Sequence, residues 1–214
     1  RVSSHARPVR PREFWTWRGA GAWGEVRSTG LAHLEARTGP QEAAWPLGQA
    51  RFPELIATRH RVGELPVWVT ATTGLSAQRM AGVEQYVDQP ERAGRIELAI
   101  ARSMPDQAGA ELLSSLATIP FGRCTWLGEG HTIGGSPGNY PAFGADKAAV
   151  LLTATPPAGS RYPMPDLQGL RRRGEPVTYL WVMVIDEETF RLARGRDARA
   201  AVAHLQSNGA TWVQ

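Results

Sequence analysis

The strongest constraint on the fold is the segment VTYLWVMVI, which runs from Val177 to Ile185. β-branched and aromatic residues dominate it, as is typical of β-strands. A strand with one solvated face alternates polar and apolar residues, whereas this segment is apolar at almost every position. It therefore predicts a strand that is buried on both faces and lies centrally in a sheet.

Three further segments are predicted to be strands from their β-branched content or their alternation, namely residues 65–73, 95–102 and 148–154. In the second of these, three apolar residues (Ile96, Leu98, Ile100) alternate with charged or small ones, so we expect a half-buried strand with its apolar side inward. Helices are predicted from residue 107 to about 117, over 187–194 and over 198–206. Asp106 and Asp186 precede the first two helices and can accept their free N–H groups.

The remaining segments are less regular. Residues 118–145 and 158–176 are rich in Gly and Pro and are predicted to be loops, the first with at most a short strand at 125–127. Residues 33–37 alternate weakly and could form a strand, and residues 41–58 are expected to be irregular to partly helical. Because strands and helices mix without regular βαβ alternation, the expected class is α+β, a single domain with helices packed on a mixed sheet.

The charge distribution argues against a nucleic-acid partner. The formal net charge is +4, and residues 1–18 alone carry five Arg and one Glu, so the rest of the chain is neutral. A nucleic-acid-binding domain concentrates positive charge on a face of its fold. The internal cluster Arg171–Arg173 lies between glycines, and a solvated loop is favoured there over a phosphate site. We expect a disordered basic tail over 1–12, a lead-in packed on the body over 13–59, and the main domain over 60–214.

Cysteine and histidine usage indicates neither disulfides nor metals. Cys124 is the one cysteine, which fits a reducing compartment such as the cytoplasm, and a small buried apolar role is favoured over a reactive thiol. The five histidines include no pair three to five residues apart, so no metal is expected. Nucleotide-binding, zinc-protease and serine-hydrolase motifs are missing from the sequence, so no cofactor is expected. We see neither a membrane-spanning run nor a signal peptide.

One turn could contain a catalytic histidine. The Gly-Glu-Gly-His turn at 128–131 could aim His131 at a pocket, with Glu129 or Asp146 setting its tautomer. No nucleophile in a recognisable context accompanies them. The favoured alternative is that His131 bonds backbone groups and holds the glycine-rich loop, so no catalytic residue is predicted.

The eight tryptophans divide into two groups. Those in or near predicted core elements are expected to pack, and they are Trp68, Trp126, Trp181 and Trp212. The others lie in irregular segments, where packing and an interaction surface are equally supported, and they are Trp15, Trp17, Trp23 and Trp45.

Four segments of the chain together resemble the suppressor of fused domain family. They are VWVTATTGLSAQRM (67–80), RIELAIAR (95–102), LATIPFGRCTWLGEGHTI (116–133) and EPVTYLWVMVIDEETFRLAR (175–194). The first carries a Thr-x-Gly-x-Ser pattern after a strand, and the second an Arg-x-Glu-Leu strand. Their order and spacing also agree with the family, over roughly residues 60 to 205.

The resemblance implies an α+β domain without enzymatic activity that binds another protein. In animals, the family's namesake clamps a transcription-factor tail by adding an extended peptide to a sheet edge, and stand-alone bacterial members are thought to include toxin-immunity proteins. We therefore expect a toxin or regulatory protein as partner, and neither nucleic acid nor membrane. The partner would dock on the loops at 134–145 and 158–176 or along an edge strand. The resemblance assigns no individual contact residues.

Overall fold

A computed structural model describes residues 20–47, 55–156, 162–208 and 213. The strands are β1 (Gln41–Pro46), β2 (Ile56–Arg61), β3 (Trp68–Thr73), β4 (Ile96–Arg102), β5 (Thr132–Gly134), β6 (Lys147–Thr153), β7 (Arg171–Arg172), β8 (Glu175–Pro176) and β9 (Thr178–Asp186). The α-helices are α1 (Ala20–Thr38), α2 (Val83–Tyr86), α3 (Pro90–Ala93), α4 (Ala108–Ala117), α5 (Ile119–Gly122), α6 (Glu187–Gly195) and α7 (Ala198–Ser207). They form the single α+β domain with a mixed sheet that the sequence predicts.

The main sheet has seven strands in the order β1-β2-β3-β4-β9-β6-β5. All neighbours are antiparallel except β4 and β9, which are parallel. β9 lies between β4 and β6, and its residues from Tyr179 to Ile185 are buried. The central, doubly covered strand predicted from VTYLWVMVI is therefore confirmed.

Helices cover both faces of the sheet. On one face, Leu113 and Leu116 of α4 pack with sheet residues such as Leu98 and Val182. On the other, Leu34 of α1 and the apolar residues of α6 and α7 pack with a second set of sheet side chains that includes Tyr179 and Trp181. The prediction that β4 is half-buried is wrong for this reason: all seven of its residues are buried.

The N-terminal predictions are also wrong. Residues 33–37, predicted as a weak strand, lie inside α1, and residues 41–58, predicted as irregular to partly helical, contain β1 and the start of β2. The buried positions of α1 recur at helical spacing but include a glycine and a threonine, so the helix has no continuous apolar stripe. These positions are Trp23, Val26, Gly30, Leu34 and Thr38.

From β4 to α6 the predictions hold in part. Asp186 caps α6, since its carboxylate accepts the Thr189 N–H at 2.8 Å, as predicted. Asp106 lies one residue before the cap position of α4, but its carboxylate still accepts the Ala108 N–H at 3.2 Å. The short strand predicted at 125–127 is absent, and the strand of this region is β5 instead. Cys124 is half-buried rather than buried.

The described ranges contain no helix long and apolar enough to cross a bilayer, and no cluster of three or more potential metal ligands. The predicted tail over residues 1–12 lies outside the described residues. The predicted domain boundaries stay predictions.

Gly30 allows α1 to lie close to β3. A Cβ at this position would lie 2.6 Å from Thr73 Cγ2 and 3.1 Å from Arg172 Nη2, whereas a Cβ at Gly24 would meet nothing within 4 Å. We predict that Gly30→Ala destabilises the fold by about 1–3 kcal/mol through overpacking. The matched variant Gly24→Ala should stabilise it by up to about 1 kcal/mol through helix propensity. Urea unfolding of both variants measures the difference, and equal effects would contradict the close approach.

His60 is a buried histidine with both ring nitrogens satisfied. Its Nδ1 lies 2.9 Å from the Gly39 carbonyl and so carries the proton, while Nε2 accepts from the Thr58 hydroxyl at 2.9 Å. The ring therefore ties β2 to the end of α1. Burial lowers the pKa of His60, although the Gly39 carbonyl and the charges of Glu35 and Glu42 act in the opposite direction.

This histidine should make stability depend on pH in a predictable direction. Because its pKa is lower in the folded state, the unfolded chain takes up a proton first, and stability is lost as pH falls below about 6.5. We predict that the destabilisation caused by His60→Gln is largest at neutral pH and shrinks on acidification. Urea unfolding of the wild type and of His60→Gln, from neutral pH to acidic pH, tests this prediction. A difference in unfolding free energy that stays constant with pH would contradict it.

Candidate functional site

The turn that carries His131 is held by backbone bonds. The His131 N–H donates to the Gly128 carbonyl at 3.1 Å, and the His131 carbonyl accepts from the Leu152 N–H of β6 at 2.9 Å. The imidazole is half-buried and packs edge-on to the Trp126 ring, with 4.3 Å between centroids. Burial lowers the pKa of His131. This turn is an ordered entry into β5.

The other candidate catalytic residues do not contact the His131 ring through a hydrogen bond or ion pair that the structure describes. Glu129 is exposed, and Asp146 is exposed and pairs with Lys147 Nζ at 3.1 Å, which lowers the pKa of Asp146. Within the described part of the chain, no hydrogen bond or ion pair links the His131 ring to a carboxylate. Among the residues that the structure describes, neither Glu129 nor Asp146 is therefore placed to set the tautomer of His131.

A buried carboxylate, Glu97, connects the two family-like motifs of β3 and β4. It accepts hydrogen bonds from the Thr72 hydroxyl (2.6 Å), the Gly74 N–H (3.0 Å), and both the N–H (3.0 Å) and hydroxyl (2.7 Å) of Ser76. Glu97 is only 1% exposed. Burial raises its pKa, while the bonds from Ser76, Thr72 and Gly74 act against that rise. Thr-x-Gly-x-Ser and Arg-x-Glu-Leu thus form one structural clasp.

Arg95 and Glu175 extend the clasp to the hairpin of β7 and β8. Arg95 Nη1 donates to the Ser76 carbonyl at 2.9 Å, and Arg95 Nε pairs with Glu175 at 2.7 Å. Arg79 binds the same carboxylate through Nε and Nη2. These arginines, Arg79 first, lower the pKa of Glu175. These ion pairs fix the position of the β7–β8 hairpin relative to the clasp.

Arg172 joins the hairpin to α1, contrary to the prediction of a solvated loop. It is 8% exposed and donates to the Thr29 hydroxyl and to the Val26 carbonyl. The neighbouring Arg171 and Arg173 are exposed, so that part of the prediction is confirmed. The arginine run thus contains one structural residue between two solvated ones.

We predict that Glu97→Ala destabilises the protein by about 3 kcal/mol or more, because four buried donors lose their acceptor. Glu129→Ala removes an exposed carboxylate and should change stability by less than about 0.5 kcal/mol. Denaturant unfolding monitored by circular dichroism compares them. A loss below about 1 kcal/mol for Glu97→Ala would show that the clasp is not a stabilising centre.

For Trp23 and Trp45 the sequence left open whether they pack in the core or form an interaction surface, and the structure places the two differently. Trp23 is buried with Val26, whereas Trp45 is half-buried in β1 and lies under the Arg59 guanidinium, 5.5 Å from its ring centroid. Trp181 is buried in β9, as predicted. Trp15, Trp17 and Trp212 lie outside the described residues.

β5 presents an open sheet edge. The His131 carbonyl and the Gly135 N–H both bond to β6, and hydrogen bonding alternates along an antiparallel pair. The N–H and C=O of Thr132 therefore point away from β6. Among the strands that the structure describes, none pairs with this side of β5. The edge can accept an added strand.

An ordered loop from 135 to 146 lies beside this edge. Tyr140 Oη donates to the Ile133 carbonyl at 3.2 Å, and the Gly138 N–H donates to the Lys147 carbonyl at 3.0 Å. Its tip from 136 to 139 is exposed. The loop thus offers a preformed surface next to the open edge.

The opposite edge, β1, is less open. The Leu47 N–H donates to the Leu55 carbonyl at 2.8 Å, so alternation places the groups of Ala44 and Pro46 on the free side. Pro46 has no N–H to offer, and the register shifts between Gln41 and Ala43. Proline and irregular pairing are features that protect edge strands against addition.

These features define an α+β domain with an open sheet edge beside an ordered loop and with no catalytic group assembled around His131 in the described residues. The model of the family described as suppressor of fused protein matches residues 55–214. The chain belongs to the suppressor of fused family. A search of curated proteins finds no match.

Two crystal structures show the same fold. A suppressor of fused homolog from Neisseria gonorrhoeae FA 1090 is 15% identical with a TM-score of 0.61, covering 89% of this chain and 94% of that one. A structure of the Sufu-Fu complex is 13% identical with a TM-score of 0.60, covering 85% of this chain and 84% of that one. At these identities the likeness concerns the fold alone.

Proposed function

We propose that this chain is a non-catalytic protein-binding domain whose partner docks as an extended segment on the edge of β5. The outward N–H and C=O of Thr132 carry the proposal, because they are backbone groups that an added strand can pair with. The ordered loop beside them supplies exposed surface for side-chain contacts. Family membership supports protein binding, since one fold relative was crystallised as a Sufu-Fu complex.

The partner would be a toxin that this chain neutralises as an immunity protein, or a regulatory protein that it sequesters, in the cytoplasm. Sequestration requires binding alone and no catalytic residue. The body beyond residue 18 has no net charge, so we expect shape and main-chain pairing to dominate over long-range charge attraction. Neither nucleic acid nor membrane is expected to bind.

A proline scan of the two edges tests the docking site. Thr132→Pro removes an outward N–H from β5, and the matched variant Ala44→Pro removes an outward N–H from β1. Partner capture from native-host lysate, with mass spectrometry, identifies the partner, and titration calorimetry measures its affinity. We predict that Thr132→Pro weakens binding about tenfold or more, and Ala44→Pro less than about twofold.

Thermal unfolding by circular dichroism must show both variants folded. Equal weakening by both, or no weakening by Thr132→Pro, would move the docking site away from β5. Failure of the wild type to bind any protein at stoichiometric level would contradict the proposed function itself.

A further inference from the structure

Arg102, the last residue of β4, has a buried guanidinium with donors left over. Its side chain is 5% exposed, and Nη2 pairs with Asp106. Its Nε and Nη1 are buried and have no hydrogen-bond partner among the described residues. The guanidinium lies 4.5 Å from the centroid of the Phe143 ring, which covers it.

Leaving these donors without acceptors is costly. A buried donor without a partner loses the hydrogen bonds that water would provide, and a guanidinium presents five donors in a planar fork suited to carboxylates. Asp106 takes one position of this fork, and its own side chain is 35% exposed. The remaining N–H groups suit a second carboxylate, which can reach them only when covering side chains move, and the Phe143 ring is one that lies against the guanidinium.

The surroundings are those of an interaction surface. Arg59 donates to the Pro105 carbonyl and so holds the segment between β4 and α4, whose Met104 is 58% exposed. Phe143 belongs to the 135–146 loop next to the edge of β5. Arginine, methionine and aromatic residues are enriched at protein interfaces. A partner on this loop would therefore lie close to Arg102.

We propose that Arg102 is a carboxylate-binding residue that Phe143 covers until an acidic side chain of the partner displaces the ring. The proposal rests on the proposed function only for the source of that acidic side chain. Its binding chemistry belongs to Arg102 alone and can be tested without the natural partner. The ligand class is an acidic peptide segment.

The test uses acetylated tetraglutamate amide as probe and tetraglutamine as its neutral match. Titration calorimetry measures the affinity of the full chain and of each variant for the probe, and nitrogen-15 NMR follows the Nε–Hε resonance in every variant that keeps Arg102. Phe143→Ala uncovers the guanidinium, so it should bind tetraglutamate at least about fivefold more tightly than the wild type. Tetraglutamine should leave the resonance unchanged.

Double variants, which combine Phe143→Ala with the substitution of one arginine, identify the side chain that binds tetraglutamate. Adding Arg102→Gln should abolish tetraglutamate binding, and Arg102→Lys should weaken it, because lysine keeps the charge without the fork. Adding Arg61→Gln, which changes an exposed arginine of β2 near Trp68, should leave binding unchanged.

Three results would overturn the inference. The first is that Phe143→Ala does not bind tetraglutamate. The second is that tetraglutamate binding survives the loss of Arg102 in a variant that still unfolds cooperatively, and the third is that Arg61→Gln weakens this binding as much as Arg102→Gln does. Since the probe is not the natural partner, any of these results leaves the docking on β5 standing. Loss of partner capture by Thr132→Pro, conversely, does not depend on Arg102.

Discussion

The fold depends on the buried carboxylate of Glu97. Its four hydrogen bonds reach the end of β3 and the turn that follows, so they fix how β3 and β4 meet. A buried carboxylate without these donors would be strongly unfavourable, and the donors without it would be equally poorly satisfied. Arg95 and Glu175 continue the network to the hairpin, from which Arg172 reaches α1. One polar centre thus coordinates the sheet, the hairpin and the first helix.

This arrangement separates scaffold from surface. Three of the segments that resemble the family (67–80, 95–102 and 175–194) contain the clasp and the largely buried strands β3, β4 and β9, whereas the fourth (116–133) reaches into β5. The edge of β5 and the loop beside it lie at the far side of the sheet from β1 and are partly exposed. A protein of this design can keep its core while its edge and loop vary to suit different partners.

Local patterns predicted the parts of the fold that depend on local physics. The apolar run of β9 and the cap at Asp186 were correct because burial on both faces and helix capping leave direct marks in the sequence. α1 was missed because Gly30 and Thr38 interrupt its buried stripe. β1 was missed because Pro46 suggests a break, and a proline fits there only because the strand is at an edge.

The site was less predictable because it depends on long-range pairing. Glu97 looked solvent-facing, since alternation in β4 cannot reveal that helices cover the second face. The turn at His131 is held by main-chain hydrogen bonds, and the prediction that it carries no catalytic residue stays a prediction. The open edge of β5 follows from strand order, which no single segment encodes. An acidic residue inside an apolar strand, opposite a Thr-x-Gly-x-Ser turn, is the signal that could have indicated the clasp.

Amide hydrogen exchange on the complex with the captured partner tests the central claim most directly. If the partner adds a strand to β5, the Thr132 amide, which faces the open edge, must become strongly protected, while the Ala44 amide on β1 stays unchanged. Protection confined to β1 or to the helices, with the Thr132 amide still exchanging freely, would contradict the account.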